Sequence, residues 1–99
     1  MDCAQAVRAH CERAGIREVP VCGIDEFPVT LTGVDGRRYV EVTGNVWMDV
    51  AGTGDVAYVG TSRHGGHIAL RPLFVKVDGE WRNALTGKPS DFGSWQPAR

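Results

Sequence analysis

From Tyr39 to Val50 the chain alternates strictly: Val40, Val42, Gly44, Val46, Met48 and Val50 hold the even positions, and Tyr39, Glu41, Thr43, Asn45, Trp47 and Asp49 the odd ones. A period of two places successive side chains on opposite sides of an extended backbone and does not fit a helix face. The stretch from Arg37 to Val50 therefore predicts one long two-faced strand, aliphatic on one side and mixed aromatic and acidic on the other. At ~3.3 Å per residue a straight strand of that length would overhang a small domain, so Gly44 is expected to bend it.

Upstream, Val29 and Leu31 alternate with Thr30 and Thr32 and lead into Gly33-Val34-Asp35-Gly36. A two-residue type I′ turn at Asp35-Gly36 would set Leu31 opposite Val40, Val29 opposite Val42, Thr30 beside Glu41 and Thr32 beside Tyr39. The second Val-Asp-Gly, at Val77-Asp78-Gly79, separates its faces better with a three-residue loop that pairs Lys76 with Glu80, Val75 with Trp81 and Phe74 with Arg82. Two further strands are read from Asp55 to Thr61 and from His67 to Val77. In the latter the inward parity switches at Arg71-Pro72, which predicts a bulge or bend. A weaker strand, from Val19 to Ile24, is interrupted by Pro20 and Gly23 and is expected at a sheet edge.

The N-terminus carries a helix signature. Asp2 is a good N-cap, Gln5 completes a capping box and Gly15 supplies a left-handed stop, bracketing a helix from Cys3 to Ala14. Cys3, Val7, Cys11 and Ala14, with Ala4, form its apolar stripe, and Arg8 and Glu12 stand at i,i+4 on the other side. Cysteine is among the most buried residue types, so Cys3 and Cys11 are expected to supply core to a helix poor in large apolar residues.

The fold class is therefore α+β: an N-terminal helix packed on a curved antiparallel sheet of about five to six strands, roll-like. Residues 1–85 form the single domain and 86–99 an irregular C-terminal tail; a chain of 99 residues suits one core. In its element order and its hairpin Val75-Lys76-Val77-Asp78-Gly79-Glu80-Trp81, the chain resembles the α+β rolls of the cystatin-like and nuclear-transport-factor-like folds. The resemblance is one of architecture and implies no functional residue.

Eleven basic and twelve acidic residues are spread along the chain. No basic stripe is available to neutralise phosphates, so nucleic acid is not an expected partner. No segment approaches ~20 apolar residues, and Met1-Asp2-Cys3-Ala4-Gln5 lacks the basic start of an export signal, so no membrane partner and a cytoplasmic location are expected. Three cysteines cannot all pair within one chain. On one helix Cys3 and Cys11 would stand ~12 Å apart, too far for a disulfide, and reduced thiols are expected.

His64-Gly65-Gly66-His67 is the most suggestive word, two imidazoles beside a glycine turn. The sequence supplies no third ligand at metal-binding spacing, so the turn reads as solvated, with ligand or metal binding as its second use and no metal or cofactor assigned. Cys3, His10 and Cys11 on one helix face read as core, and Cys22 has no base beside it. Gly52-Thr53-Gly54-Asp55-Val56-Ala57 matches G-x-G-x-x-A but precedes a strand, which the dinucleotide fingerprint does not. No catalytic residue is assigned, and whether the protein is an enzyme is left open, with the balance toward none.

Aromatics in a polar frame suit protein recognition. The leading expectation is a non-enzymatic protein-binding domain, an inhibitor, adaptor or regulator, using the outer sheet face and loops through Tyr39, Glu41, Trp47, Asp49, Phe92 and Trp95. Its partner is another protein, and a homodimer is left open. The competing expectation for that face is cover by the tail, with Phe92 or Trp95 packing over Trp47. The alternative function is a small roll-type pocket enzyme or small-ligand binder using His64, His67 or Asp55 near a pocket mouth.

Overall fold

The computed structural model describes residues 2–25, 30–62 and 68–92, and within them the alternating stretch is two strands rather than one. Asn45 adopts φ 57°, which a short polar side chain tolerates, and Thr43 pairs with Val46 across the Gly44-Asn45 loop. What the sequence presents as a bend is a hairpin turn. The elements are α1 (Cys3–Ala14), β1 (Val19–Asp25), β2 (Thr30–Gly33), β3 (Arg38–Thr43), β4 (Val46–Asp49), β5 (Val56–Ser62), β6 (Ile68–Val77) and β7 (Glu80–Asn83).

Each strand pairs antiparallel with the next, and β1 pairs with β6 through Val19 opposite Leu70 and Pro20 opposite Ala69. Six strands thus close into a barrel, and β7 extends the sheet from β6. The fold remains one helix with an antiparallel sheet, but the expected open, curved sheet is corrected to a closed one. Closure removes exposed sheet edges, which a roll would leave. It also corrects the place of β1: the strand expected at an edge is the one that seals the barrel. Pro20 lacks an N–H, yet its carbonyl accepts the Val34 N–H at 2.9 Å, and Cys22 is the extra residue of a β-bulge.

Both Val-Asp-Gly hairpins take the register opposite to the expected one. Gly33 N–H donates to Arg37 O, Gly36 N–H donates to Gly33 O, and Gly36 sits at φ 83°, a three-residue loop that sets Leu31 opposite Tyr39 and Thr30 opposite Val40. The second turn is the two-residue one. Asp78 and Gly79 both take positive φ, 52° and 80°, pairing Val77 with Glu80 and Lys76 with Trp81. In that register Lys76 Nζ lies 5.4 Å from the Trp81 ring centroid, a cation–π contact. The parity switch in β6 is present as a bulge: Ala57 faces Phe74 and Tyr58 faces Pro72, leaving Leu73 extra.

A one-residue slip turns a strand over, and here it decides which face becomes the core. Val19, Leu31, Tyr39, Trp47, Tyr58 and Leu70 form one buried cluster to which every one of the six barrel strands contributes a side chain, so this cluster is the barrel interior. Tyr39 is 1% exposed and Trp47 7%. The aliphatic side is the outer one: Val42, Val46 and Met48 join Ala57, Leu73, Phe74, Trp81 and Phe92 in a second cluster beneath β7 and the chain that follows it. Phe92 stacks on Phe74 with centroids 5.0 Å apart and meets Trp81 edge-on at 4.8 Å, so its cover falls on the outer cluster and not on Trp47.

The helix forms as its caps dictate. Asp2 Oδ1 accepts the Gln5 N–H at 2.8 Å, Gln5 Oε1 accepts the Asp2 N–H at 3.1 Å, and Gly15 takes φ 72°. Its packing is lighter than expected. Val7 is its buried residue, Cys3 and Ala14 are exposed and Cys11 is half-buried, so the cysteines do not serve as core; no disulfide links them. Backbone contact compensates, since a Cβ on Gly87 would meet Cys3 O at 2.1 Å, an approach that only glycine allows.

The end of the barrel away from the 34–37 loop is tied across by Asn45, an exposed turn residue that serves as a surface plug. Its Nδ2 donates to Gly60 O at 2.7 Å and its Oδ1 accepts Trp47 Nε1–H at 3.1 Å. A Cβ on Gly60 would lie 2.5 Å from that Oδ1. Gly60→Ala should therefore displace the Asn45 side chain and lower stability by about 0.5–1.5 kcal/mol, the usual net worth of a hydrogen bond whose freed groups can turn to water. Gly44→Ala, where a Cβ meets open space, is the control. Equal urea midpoints for the two variants would refute the plug.

Candidate functional site

The opposite end of the barrel is open, and the three-residue loop after β2 builds one wall of its mouth. Asp35 Oδ1 accepts the Arg37 N–H at 3.0 Å, and Asp35 Oδ2 accepts the Tyr39 hydroxyl at 2.8 Å. Gly33 makes this possible, because a Cβ there would stand 2.6 Å from both Asp35 Oδ1 and Val19 Cγ1. Asp49 faces inward opposite Tyr39; its Oδ2 receives Arg37 Nη1–H at 3.4 Å and its Oδ1 the Ala51 N–H at 3.0 Å. On the third side, the Thr53 hydroxyl donates to Asp55 Oδ2 at 2.8 Å.

Asp35, Arg37, Thr53 and Asp55 border a cavity of about 700 Å³, with Asp49 outside its lining and joined to it through Arg37. Tyr39 and Tyr58 line it with Val19 and Val56; Asp35, Arg37, Thr53 and Asp55 stand at its mouth. The C-terminal half of α1 and the chain after it, through His10, Ile16, Arg17 and Glu18, complete the wall. The two phenol rings meet edge to face with centroids 5.4 Å apart at 80°. Burial pushes the Tyr39 hydroxyl well above the ordinary tyrosine range, and its hydrogen bond to Asp35 and the charges of Asp35 and Asp49 push further. Burial also raises Tyr58, with Arg37 opposing and Asp49 and Asp35 assisting. Both phenols therefore stay protonated far above neutrality and act as hydrogen-bond donors within a mouth that carries both signs of charge.

Of the six residues assigned to a protein-binding outer face, the five described ones are not gathered on one exposed face. Tyr39 and Trp47 are interior, because the β2–β3 register turns the odd face inward. Glu41 is exposed at the plugged end, where its Oε2 accepts the Asn45 N–H at 2.8 Å. Asp49 pairs with Arg37 beside the open mouth, and Phe92 belongs to the outer cluster. Trp95, His64 and His67 lie outside the described residues, as does Val29. Of the residues named for a pocket, Asp55 does line the cavity.

The sequence does not single out Asp35, Arg37 or Tyr58 as site residues, and His10, read from it as core, instead lines the cavity. The available signal was the first Val-Asp-Gly: a loop aspartate two residues before Arg37 and four before Tyr39 can reach both once Gly36 is left-handed. Among the described residues no group of three His, Cys, Asp or Glu side chains is placed to hold a metal ion, and no helix is long and apolar enough to cross a membrane. The site and fold define an antiparallel barrel with one plugged and one open end, and this description stands by itself. The chain matches no family model, and no curated protein or solved structure is significantly similar to it.

Proposed function

We propose that this protein is a small-molecule-binding barrel whose ligand, a compact polar molecule bearing both hydrogen-bond donors and acceptors, enters the open mouth and settles against Tyr39 and Tyr58. The observation that supports this reading is the cavity of about 700 Å³ at one end of a closed barrel, within the usual range for ligand pockets. Aromatic and aliphatic side chains form its floor and groups of both charges its rim, the composition that fixes a small ligand's orientation. Recognition fits better than catalysis. The phenols are held neutral, and the mouth carboxylates are already bonded to Tyr39, Arg37 and Thr53. Capture of another protein through Tyr39 and Trp47 loses its basis, since both side chains are buried.

Val34 lines the mouth and is 62% exposed, so Val34→Trp should obstruct entry without disturbing the core. Wild type and Val34→Trp would each be equilibrated with a small-molecule extract of the source cells, washed and denatured, and the released compounds identified by mass spectrometry. The expected result is at least one polar compound retained stoichiometrically by wild type and lost from the variant. Identical retention by the two proteins would reject the mouth as a binding site.

A further inference from the structure

Val7, the buried side chain of α1, falls on the helix wheel between two cavities. His10 and Ala14 on one side line the barrel mouth; Cys11 and Arg8 on the other line a second cleft of about 340 Å³. This cleft runs between α1, residues 71–73 of β6 and the turn at 83–86. Its floor is apolar, made by Ile16, Pro72, Leu73 and Ala84, and the exposed Leu85 stands at its edge. Burial raises the Cys11 thiol, which therefore stays neutral there.

The rim has the opposite character. Arg8 and Arg71 are exposed and make no hydrogen bond or ion pair among the described residues; the i,i+4 pair of Arg8 with Glu12 that the sequence suggests is not formed. Asn83 Oδ1 is engaged by the Leu85 and Thr86 N–H groups at 2.8 and 2.9 Å, and Thr86 Oγ1 accepts the Lys88 N–H at 3.3 Å. The Asn83 amide hydrogens and the Thr86 hydroxyl hydrogen are left as donors. No Asp or Glu lines the cleft.

An apolar floor under a rim of donors, two of them guanidinium groups, selects an anion carried on an apolar stem. Guanidinium meets carboxylate in the stronger, charge-assisted class of hydrogen bond, and the stem displaces water from carbon surface. At about 340 Å³ the cleft lies at the small end of ligand-pocket sizes, which suits a medium-chain or aromatic carboxylate. We propose that this cleft binds a small anionic amphiphile of that class, at a site separate from the barrel mouth.

The test uses the full chain, with octanoate as probe and 1-octanol and octylamine as its neutral and cationic counterparts. Amide shifts followed by NMR should be saturable with octanoate and should map to Arg8, Cys11, Leu73 and Leu85. Octanoate should bind about tenfold more tightly than 1-octanol, the size expected from two partly exposed ion pairs, and octylamine more weakly still. The double variant Arg8→Gln/Arg71→Gln, changed at exposed positions, should bring octanoate down to the affinity of 1-octanol. Leu85 is 81% exposed, so Leu85→Asp should fold and, with a carboxylate at the rim, abolish the octanoate shifts. Equal affinity for octanoate and 1-octanol would overturn the proposal, as would shifts confined to residues 34–37 and 53–56. Arginine-dependent sedimentation with anionic phospholipid vesicles, without saturable octanoate binding, would assign the rim to a lipid surface and also overturn it.

Discussion

Trp47→Ala should lose a large share, roughly a fifth to all, of the stability of this domain. The indole is 7% exposed and shares the barrel interior with Leu31, Tyr39, Tyr58 and Leu70. Truncating a buried tryptophan to alanine costs about 3–5 kcal/mol, combining lost transfer energy with the cavity left behind, while a whole domain is typically stable by about 5–15 kcal/mol. The Trp47 Nε1–H bond to Asn45 goes too, loosening the plug at the closed end. Urea unfolding followed by circular dichroism should show the midpoint collapse and a substantial unfolded population without denaturant. Trp47→Phe, which keeps much of the volume but not the donor, should fall between. Were Trp47 on an outer recognition face, the alanine variant would unfold within about 0.5 kcal/mol of wild type; that result would refute the inward assignment.

The same residues show what sequence does and does not carry. The helix is fully legible because its determinants are local: Asp2, Gln5 and Gly15 act within a few residues of the groups they cap. The membership of each strand face is also legible. Tyr39 opposes Asp49 and Glu41 opposes Trp47, so the odd positions do share one side, as a period of two requires. Which side faces inward is not written in that period. It depends on the β2–β3 register, and Val-Asp-Gly occurs in two hairpins that use it differently: Gly36 alone is left-handed in the first, Asp78 and Gly79 together in the second.

Barrel closure is harder still to read. It rests on the pairing of Val19 and Pro20 with Leu70 and Ala69, some fifty residues apart, and a proline and a bulge in β1 signal an edge to any local reading. Once closure is missed, the mouth is missed with it. Asp35, Arg37, Tyr58 and His10 come together only because the barrel brings the β2–β3 loop, β5 and the end of α1 to one rim. Asp55 is the exception, recognisable as a loop carboxylate next to a strand but not as part of this group.

That group sets the response to alkali. Tyr39 and Tyr58 both have hydroxyls raised above their ordinary value in the folded state, chiefly by burial and, at Tyr39, by the bond to Asp35. A raised folded value means that the native state holds its protons after the unfolded chain has released them. The stabilising contribution is complete below the ordinary tyrosine value, near pH 10, and declines as pH rises above it. Tyr39 should remove about 1.4 kcal/mol per pH unit in that window, and Tyr58 adds to the decline in the same direction. Urea midpoints should be level from neutrality to about pH 9.5 and fall steeply beyond it, with tyrosinate absorbance appearing only as the chain unfolds. Tyr39→Phe should flatten that slope, because the more strongly raised of the two proton-holding groups is gone, and should cost about 1 kcal/mol at neutrality for the lost bond to Asp35. A variant as alkali-sensitive as wild type, or a wild-type tyrosinate signal that rises near pH 10 ahead of unfolding, would mean that burial and the bond to Asp35 do not hold the Tyr39 proton.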